Sequence, residues 1–495
     1  MRREILVNAT PPETRVAVTE DGRAVEVFHE RRRHRSLVGN VYLGRVHRVL
    51  PGIQAAFVSI GLDRDAFLYV EDAVARLDDF DGEPEKDDLP GGRGERPRID
   101  ELVKEGQELV VQVTKDPLSG KGPRVTTNLS LPGRTVVYLP GMHDNAVSRR
   151  IVEDEERTRL RRILDGLSGG GGFIARTASR GCGPEDFEAD RRYLTELADR
   201  IQRRAEQGGA PVLLHRELDL ATRAARDLAS PDTDAIRVDD EATRTRLAEF
   251  LNVVAPSLLP RLALETGLEP LFSRFHIEEQ IAEALGSHVP LASGGTVVIH
   301  QTEALVAIDV NTGKFLGKDE LEETVYATNL EAIGEIARQI RLRDLGGLLV
   351  VDFIDMIEPD HRREVFERFQ AELAKDRART RVLQISDFGL IEITRQRSRG
   401  NLERILTHMC PECAGTGRVK TDLTVALDLR RELEKLVPLY GSGEAIRARV
   451  RPSVLRLVEE EEPGIYADFA DRFGIRIELI ADGDLPPSGF EILRQ

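Results

Sequence analysis

The sequence predicts a multidomain α+β protein, on three observations. At 495 residues it exceeds what a single hydrophobic core organises, so about three to five domains are expected. Short apolar runs broken by Gly turns crowd the stretch between Leu37 and Leu131, which is the pattern of a small barrel. Further on, a strand, a long helix and a second strand follow one another, which is the pattern of a right-handed parallel crossover.

The elements follow in order. Ile5 to His29 reads as short strands, and "VAVTEDGRAVEVF" alternates apolar residues around the hairpin signal Asp21-Gly22. "GNVYLGRVHRVLPGIQAAFVSIGLDRDAFLYV" continues in strands, and "QELVVQVTKDPLSGKGPRVTTNLSL" adds two more. Between them, about Glu71 to Asp100 reads as a long loop holding the acidic run Asp78 to Asp88. Gly169 to Gly172 reads as a connector before the strand "FIARTA", and Glu185 to Glu206 as a charged helix. "APVLLHRE" is a strand, Leu218 to Leu228 a helix, and "IEEQIAEAL" opens another. "TVVIHQTEALVAIDVN" is a strand pair, Leu321 to Arg343 has helical spacing, and "GGLLVVDFIDM" is a buried strand. A helix over His361 to Asp376 leads into "VLQISDFGLIEITRQR". The knuckle "HMCPECAGTGRV", a helix over Leu423 to Leu436 and a small mixed domain complete the chain.

Composition narrows the function. A formal net charge of −16 argues against general affinity for nucleic acid or anionic membranes, although part of the excess sits in the acidic loop. "MRREILVNATPPETR" lacks the apolar centre of a signal peptide, and no run of about 18 apolar residues suggests a membrane span. Three cysteines, Cys182, Cys410 and Cys413, do not make a secreted disulfide framework, so the chain reads as cytoplasmic.

Four sets of residues carry candidate chemistry. Asp309 and Asn311 lie two apart on a strand and share a face. Asp352 ends the next parallel strand, so crossover topology brings all three to one sheet edge. Two carboxylates and an amide suit magnesium, and equally suit a turn or a helix cap. Asp355, an odd step from Asp352, is expected to face away into a salt bridge. Phe57, Phe67, Lys115 and Lys121 are either barrel core and solvated cations or a stacking platform with phosphate contacts. Arg176 and Thr177 match a phosphate as a donor pair, or make an ordinary strand-end ion pair. Cys410 and Cys413 have the spacing of half a zinc knuckle. That pair is open to a redox dithiol, a mixed site with His408, or one zinc shared between two chains, while Cys182 reads as a buried thiol.

"GNVYLGRVHRVLPGIQAAFVSIG", "FIARTA", "AIDVN", "NLEAIGEIARQIRLRDLGGLLVVDFIDM" and "CPECAGTG" together resemble the ribonuclease E/ribonuclease G family of bacterial endoribonucleases, from about Ile5 to Val419. Without a long disordered tail, the ribonuclease G branch is expected. The resemblance implies an RNase H-like subdomain in two parts, 1–35 and 215–280. It implies an OB-fold (S-one-type) RNA-binding barrel at 36–125 with the acidic insert 71–100, and a 5′-sensor subdomain at 126–214. A DNase I-like catalytic subdomain at 281–400, a zinc-link at 401–418 and a small C-terminal domain at 419–495 follow.

It further implies magnesium-dependent cleavage of single-stranded RNA, in ribosomal RNA maturation and messenger RNA decay. Asp309 and Asp352 match its metal-binding acids, and Asn311 the supporting amide. Phe57, Phe67, Lys115 and Lys121 match RNA contacts. Gly133, Val137, Arg176 and Thr177 match the pocket for a 5′-monophosphate, completed by Arg379 with Arg381 as the alternative. Cys410 and Cys413 match a zinc shared by a homodimer, or by a dimer of dimers. Two rival classes stand beside this: a non-catalytic RNA-binding scaffold of the same fold, which the retained acids oppose, and a DNA-cutting nuclease, which leaves the barrel unexplained.

Overall fold

The computed structural model describes every residue except 1, 75–96, 118–120, 168–169, 314–320, 384–385, 387–388, 397–399, 440–444 and 494–495. The acidic run Asp78 to Asp88 lies outside the described residues. The chain divides into two compact units, Met1–Ile405 and Leu406–Gln495.

In the first unit, a five-stranded sheet is ordered Leu262–Leu264, Ala235–Val238, Arg3–Ala9, Glu13–Glu20, Arg23–Arg31. Asp21 and Gly22 both take positive φ, 49° and 80°, so the expected hairpin forms with a turn whose twist matches its strands. Helices Leu220–Asp227 and Glu241–Val254 cover this sheet with Leu220, Ala224, Leu247 and Leu251. Asp219 and Asp240 cap the two helices through the N–H groups of Thr222 and Thr243.

A five-stranded barrel follows. Val41–Leu50, Ala55–Ser59, Ala66–Tyr69, Arg124–Thr126 and Glu108–Lys115 pair in sequence, and the last closes onto the first. Alternation sends Val46, Ala56, Val58, Leu68, Val111 and Val113 inward. A smaller sheet built around Val136–Leu139 and Gly172–Ala175 packs with helices Asp154–Asp165 and Pro184–Glu206. Here the strand expected at "FIARTA" begins at Gly172 and ends at Ala175, because Arg176 turns the chain into a short 3-10 helix, Thr177–Ser179.

The last sheet of this unit has six strands, ordered His288–Pro290, Thr296–Gln301, Leu305–Asn311, Gly347–Asp352, Leu390–Arg395, Thr380–Val382. Its one parallel pair, Leu305–Asn311 with Gly347–Asp352, is joined by the crossover helix Leu321–Leu342. That helix and Pro359–Leu373 cover one face only, burying Val306, Ile308, Leu349 and Val351. The strand "GGLLVVDFIDM" is therefore not buried on both faces as expected: Leu348 is exposed, and burial alternates along it.

The second unit carries the cysteine knuckle, the helix Asp422–Leu436 and a three-stranded sheet with Ala445–Val450 at its centre. Its core gathers Val425, Leu429, Ile446 and Phe469. Among the described residues no helix is long and apolar enough to cross a membrane.

Candidate active site

The crossover places the two acids side by side. Asp309 and Asp352 are in register on the parallel pair, at the carboxyl ends where sites form in such sheets. Because Ile308, Val310 and Val351 turn into the core, Asp309, Asn311 and Asp352 stand on the open face. Asn311 Nδ2 donates to Asp309 Oδ2 at 2.7 Å, which fixes one oxygen of that carboxylate. Burial first, then the charges of Asp309 and Asp355, push the Asp352 carboxyl above its usual range. Like charges held this way favour a proton or a cation between them. A cleft of about 260 Å³ opens over the pair, and Thr312, Ile354 and Asp355 contribute to its walls.

The alternation had Asp355 facing away into a salt bridge, and the structure corrects this. The strand ends at Asp352, so its period no longer governs, and the following loop brings Asp355 back into the same cleft. No hydrogen bond or ion pair engages its carboxylate among the described residues.

The donor set fits magnesium. That ion is satisfied by one or two carboxylates with water completing its shell. Among the described residues no three His, Cys, Asp or Glu side chains are close enough to enclose an ion. A cation here would keep much of its water.

On the barrel, Phe57 and Phe67 are not core. Ala56, Val58, Ala66 and Leu68 fill the interior, and the two Phe rings meet edge-on outside it, 5.0 Å between centroids. Tyr69 extends the row at 4.7 Å from Phe67, and the Arg124 guanidinium lies 4.8 Å over the Tyr69 ring. Register then aligns Phe57, Phe67, Arg124 and Lys115 across four neighbouring strands. Lys115 and Lys121 are exposed, and the Phe67 N–H donates to the Pro123 carbonyl at 2.7 Å, which keeps the Lys121 loop beside the rings. Tyr69 shares a face with Phe67 by simple alternation, whereas Arg124 joins the row only through strand pairing, which the sequence does not signal.

Around Arg176 the structure gathers more than the sequence indicated. Arg176 Nη1 pairs with Asp227 Oδ1 at 2.8 Å and also donates to the Gly133 carbonyl. Burial would raise the Asp227 carboxyl, but Arg226 and Arg176 hold it down to about 2. Gly133 packs on the buried Asp190: a β-carbon there would lie 2.6 Å from Asp190 Oδ2, so no other residue fits the turn. Val137 is half-buried beside Pro132 and Ile174, and Thr177 is exposed. Arg379 and Arg381 are both exposed, Arg381 on the strand Thr380–Val382 opposite Thr394. Arg377, a third arginine of that segment, donates to the Asp227 and Leu228 carbonyls at 2.8 and 2.9 Å. Three arginines in "KDRARTR" gave no signal as to which of them does so.

In the second unit, Cys410 is exposed and Cys413 partly so. Ala414 and Gly415, at φ 49° and 84°, turn the chain so that the N–H groups of Gly417 and Gly415 lower the Cys413 thiol below its usual range. Among the described residues His408 forms no metal-sized group with the two thiols. Cys182, in the first unit, is buried, and burial pushes its thiol up.

Against known proteins, residues 130–398 match the model of the Ribonuclease E/G family. The chain is similar to Ribonuclease G of Escherichia coli (strain K12), 42% identical over 480 residues and 97% of each chain. With Ribonuclease G of Haemophilus influenzae it shares 39% identity over 478 residues, 96% of each chain. With Ribonuclease E of Escherichia coli (strain K12) it shares 35% identity over 497 residues, 99% of this chain and 46% of that protein.

Proposed function

The chain belongs to the ribonuclease E/G family, and on that premise we propose that it is an endoribonuclease cutting single-stranded RNA with magnesium, with a preference for 5′-monophosphorylated ends. The observation that carries this is Asp309 in register beside Asp352 at the open edge of a parallel pair. In the cut, the oxygen of a water joins phosphorus and the 3′ oxygen leaves, giving a 5′-phosphate and a 3′-hydroxyl. Magnesium, when bound, supplies Lewis acidity for the charge that develops on the phosphate. Asp309 and Asp352 would hold it, and Asn311 orients Asp309.

The remaining residues bind and align. Phe57 and Phe67 offer edges and faces on which unpaired bases stack, and Lys115 and Lys121 take phosphates. Arg176, Thr177 and Gly133, with Val137 and the Arg377–Arg379 segment, form the pocket for the 5′ end. Cys410 and Cys413 each contribute to one zinc shared by two chains. The cellular roles proposed with this activity are those the family resemblance implies, maturation of ribosomal RNA and decay of messenger RNA. In subdomain terms, the six-stranded sheet corresponds to the DNase I-like part and the first sheet to the RNase H-like part.

The test is incubation with a 5′-monophosphorylated single-stranded RNA and its DNA equivalent, with and without magnesium. RNA should be cut only with the metal, and DNA should survive. Equal cutting of both strands would favour a general nuclease, and no cutting of RNA would favour a scaffold.

A further inference from the structure

The loop leaving the acid-bearing strand is pinned at two points by the crossover helix. Asn329 is fully buried: its Nδ2 donates to the Ile354 carbonyl at 2.8 Å, and its Oδ1 accepts the Ile354 N–H at 3.1 Å. Seven residues earlier on the same helix, Glu322 accepts the N–H groups of Ile357 and Glu358 at 3.0 and 3.2 Å, and pairs with His361 Nδ1 at 2.9 Å. His361 in turn lies flat on Tyr326, 4.1 Å between centroids with 15° between planes. Glu322, Tyr326 and Asn329 follow the spacing of a single helix face, and that face grips loop backbone. Between the two pins stands Asp355. It opens onto the cleft of Asp309 and Asp352, and its Oδ1 lies 3.6 Å from where a β-carbon on Gly389 would sit. Since three acids do not close tightly enough to enclose an ion, its reach to a cation passes through water.

We propose that Asp355 is a further carboxylate of the reaction, acting through water on the cation held by Asp309 and Asp352, and that Glu322 and Asn329 are positioning residues that aim it. The inference rests on the magnesium reading above. Asp355 accepts hydrogen bonds from the ion's water and steadies its orientation, as outer-shell partners do in other metal sites. An unpinned loop would let the carboxylate swing into solvent, and the pair would then hold the ion less firmly.

The experiment measures manganese binding to the RNA-free protein by calorimetry, alongside the magnesium dependence of cleavage. Asp355 is exposed and has no ion-pair partner among the described residues, so Asp355→Asn leaves the fold intact. It should weaken manganese roughly tenfold and raise the magnesium needed for half-maximal cleavage by a similar factor, with KM for RNA little changed. Glu322→Gln should shift both in the same direction, and in the double variant its effect should largely vanish, since it acts through Asp355. Asp309→Asn is the reference and should lose binding. Manganese affinity and magnesium requirement of Asp355→Asn within about twofold of the parent would overturn the inference while leaving the pair intact. Normal binding by Asp309→Asn would instead overturn the magnesium site itself. Full additivity of Glu322→Gln and Asp355→Asn would remove the positioning role.

Discussion

Asp309 and Asp352 are exposed side chains on strands whose buried faces do the packing, so each can be changed without emptying the core. Asp309→Asn or Asp352→Asn should abolish cleavage while RNA affinity stays near the parent's. Single-turnover cleavage at saturating magnesium, with filter binding alongside, checks this, and near-normal turnover would refute it. Arg176→Gln should slow 5′-monophosphorylated RNA roughly ten- to a hundredfold, the worth of one hydrogen bond to a charged group, and barely change 5′-hydroxyl RNA. Equal loss on both would trace the effect to the Gly133 carbonyl and Asp227, which Arg176 also holds. At this scale, legibility tracked the period of the element. The acid pair was readable because strands alternate and a crossover aligns strand ends. Asp355 and Arg377 were not, because each lies just past an element, where no period says which way a side chain points.

The barrel shows what an element adds to its residues. Alternation alone places Phe57 on one face of its strand without saying whether that face is inside. Closure decides it, since small residues such as Ala56 and Ala66 take the interior and leave the rings outside. Phe67→Ala should weaken single-stranded RNA binding by about 1–3 kcal/mol, and Tyr69→Ala by a comparable amount. Fluorescence anisotropy in an Asp309→Asn background measures both. Because the two rings touch, the double variant should lose less than the sum. Unchanged affinity in both would return the rings to a purely structural role. The six-stranded sheet marks the converse limit. Its strands and helix were readable from their apolar spacing, but its uncovered face was not, because an apolar run looks the same whether helices cover one side or two.

Assembly is the least legible scale, since two cysteines three apart in a sequence do not say where any further ligands lie. Zinc analysis should find one ion per two chains. Cys410→Ser with Cys413→Ser should lose the zinc and the dimer together, as read by light scattering. One zinc per chain, or a double variant that stays dimeric with its zinc, would refute the shared site. The first sheet raises a different matter, one of timing. Arg3, which opens one strand of a parallel pair, and Asp234, which immediately precedes the other, are 231 residues apart, and the barrel and the smaller sheet are made between them. A ribosome adding about 5–20 residues per second leaves the N-terminal hairpin waiting roughly 10–50 s for its neighbour. Through that interval Arg3–Ala9 has one paired edge and one bare one, with Ile5 and Val7 uncovered. The nascent chain is thus most open to chaperones, or to mispairing with another copy, at its first strand, before Asp309 and Asp352 have been synthesised.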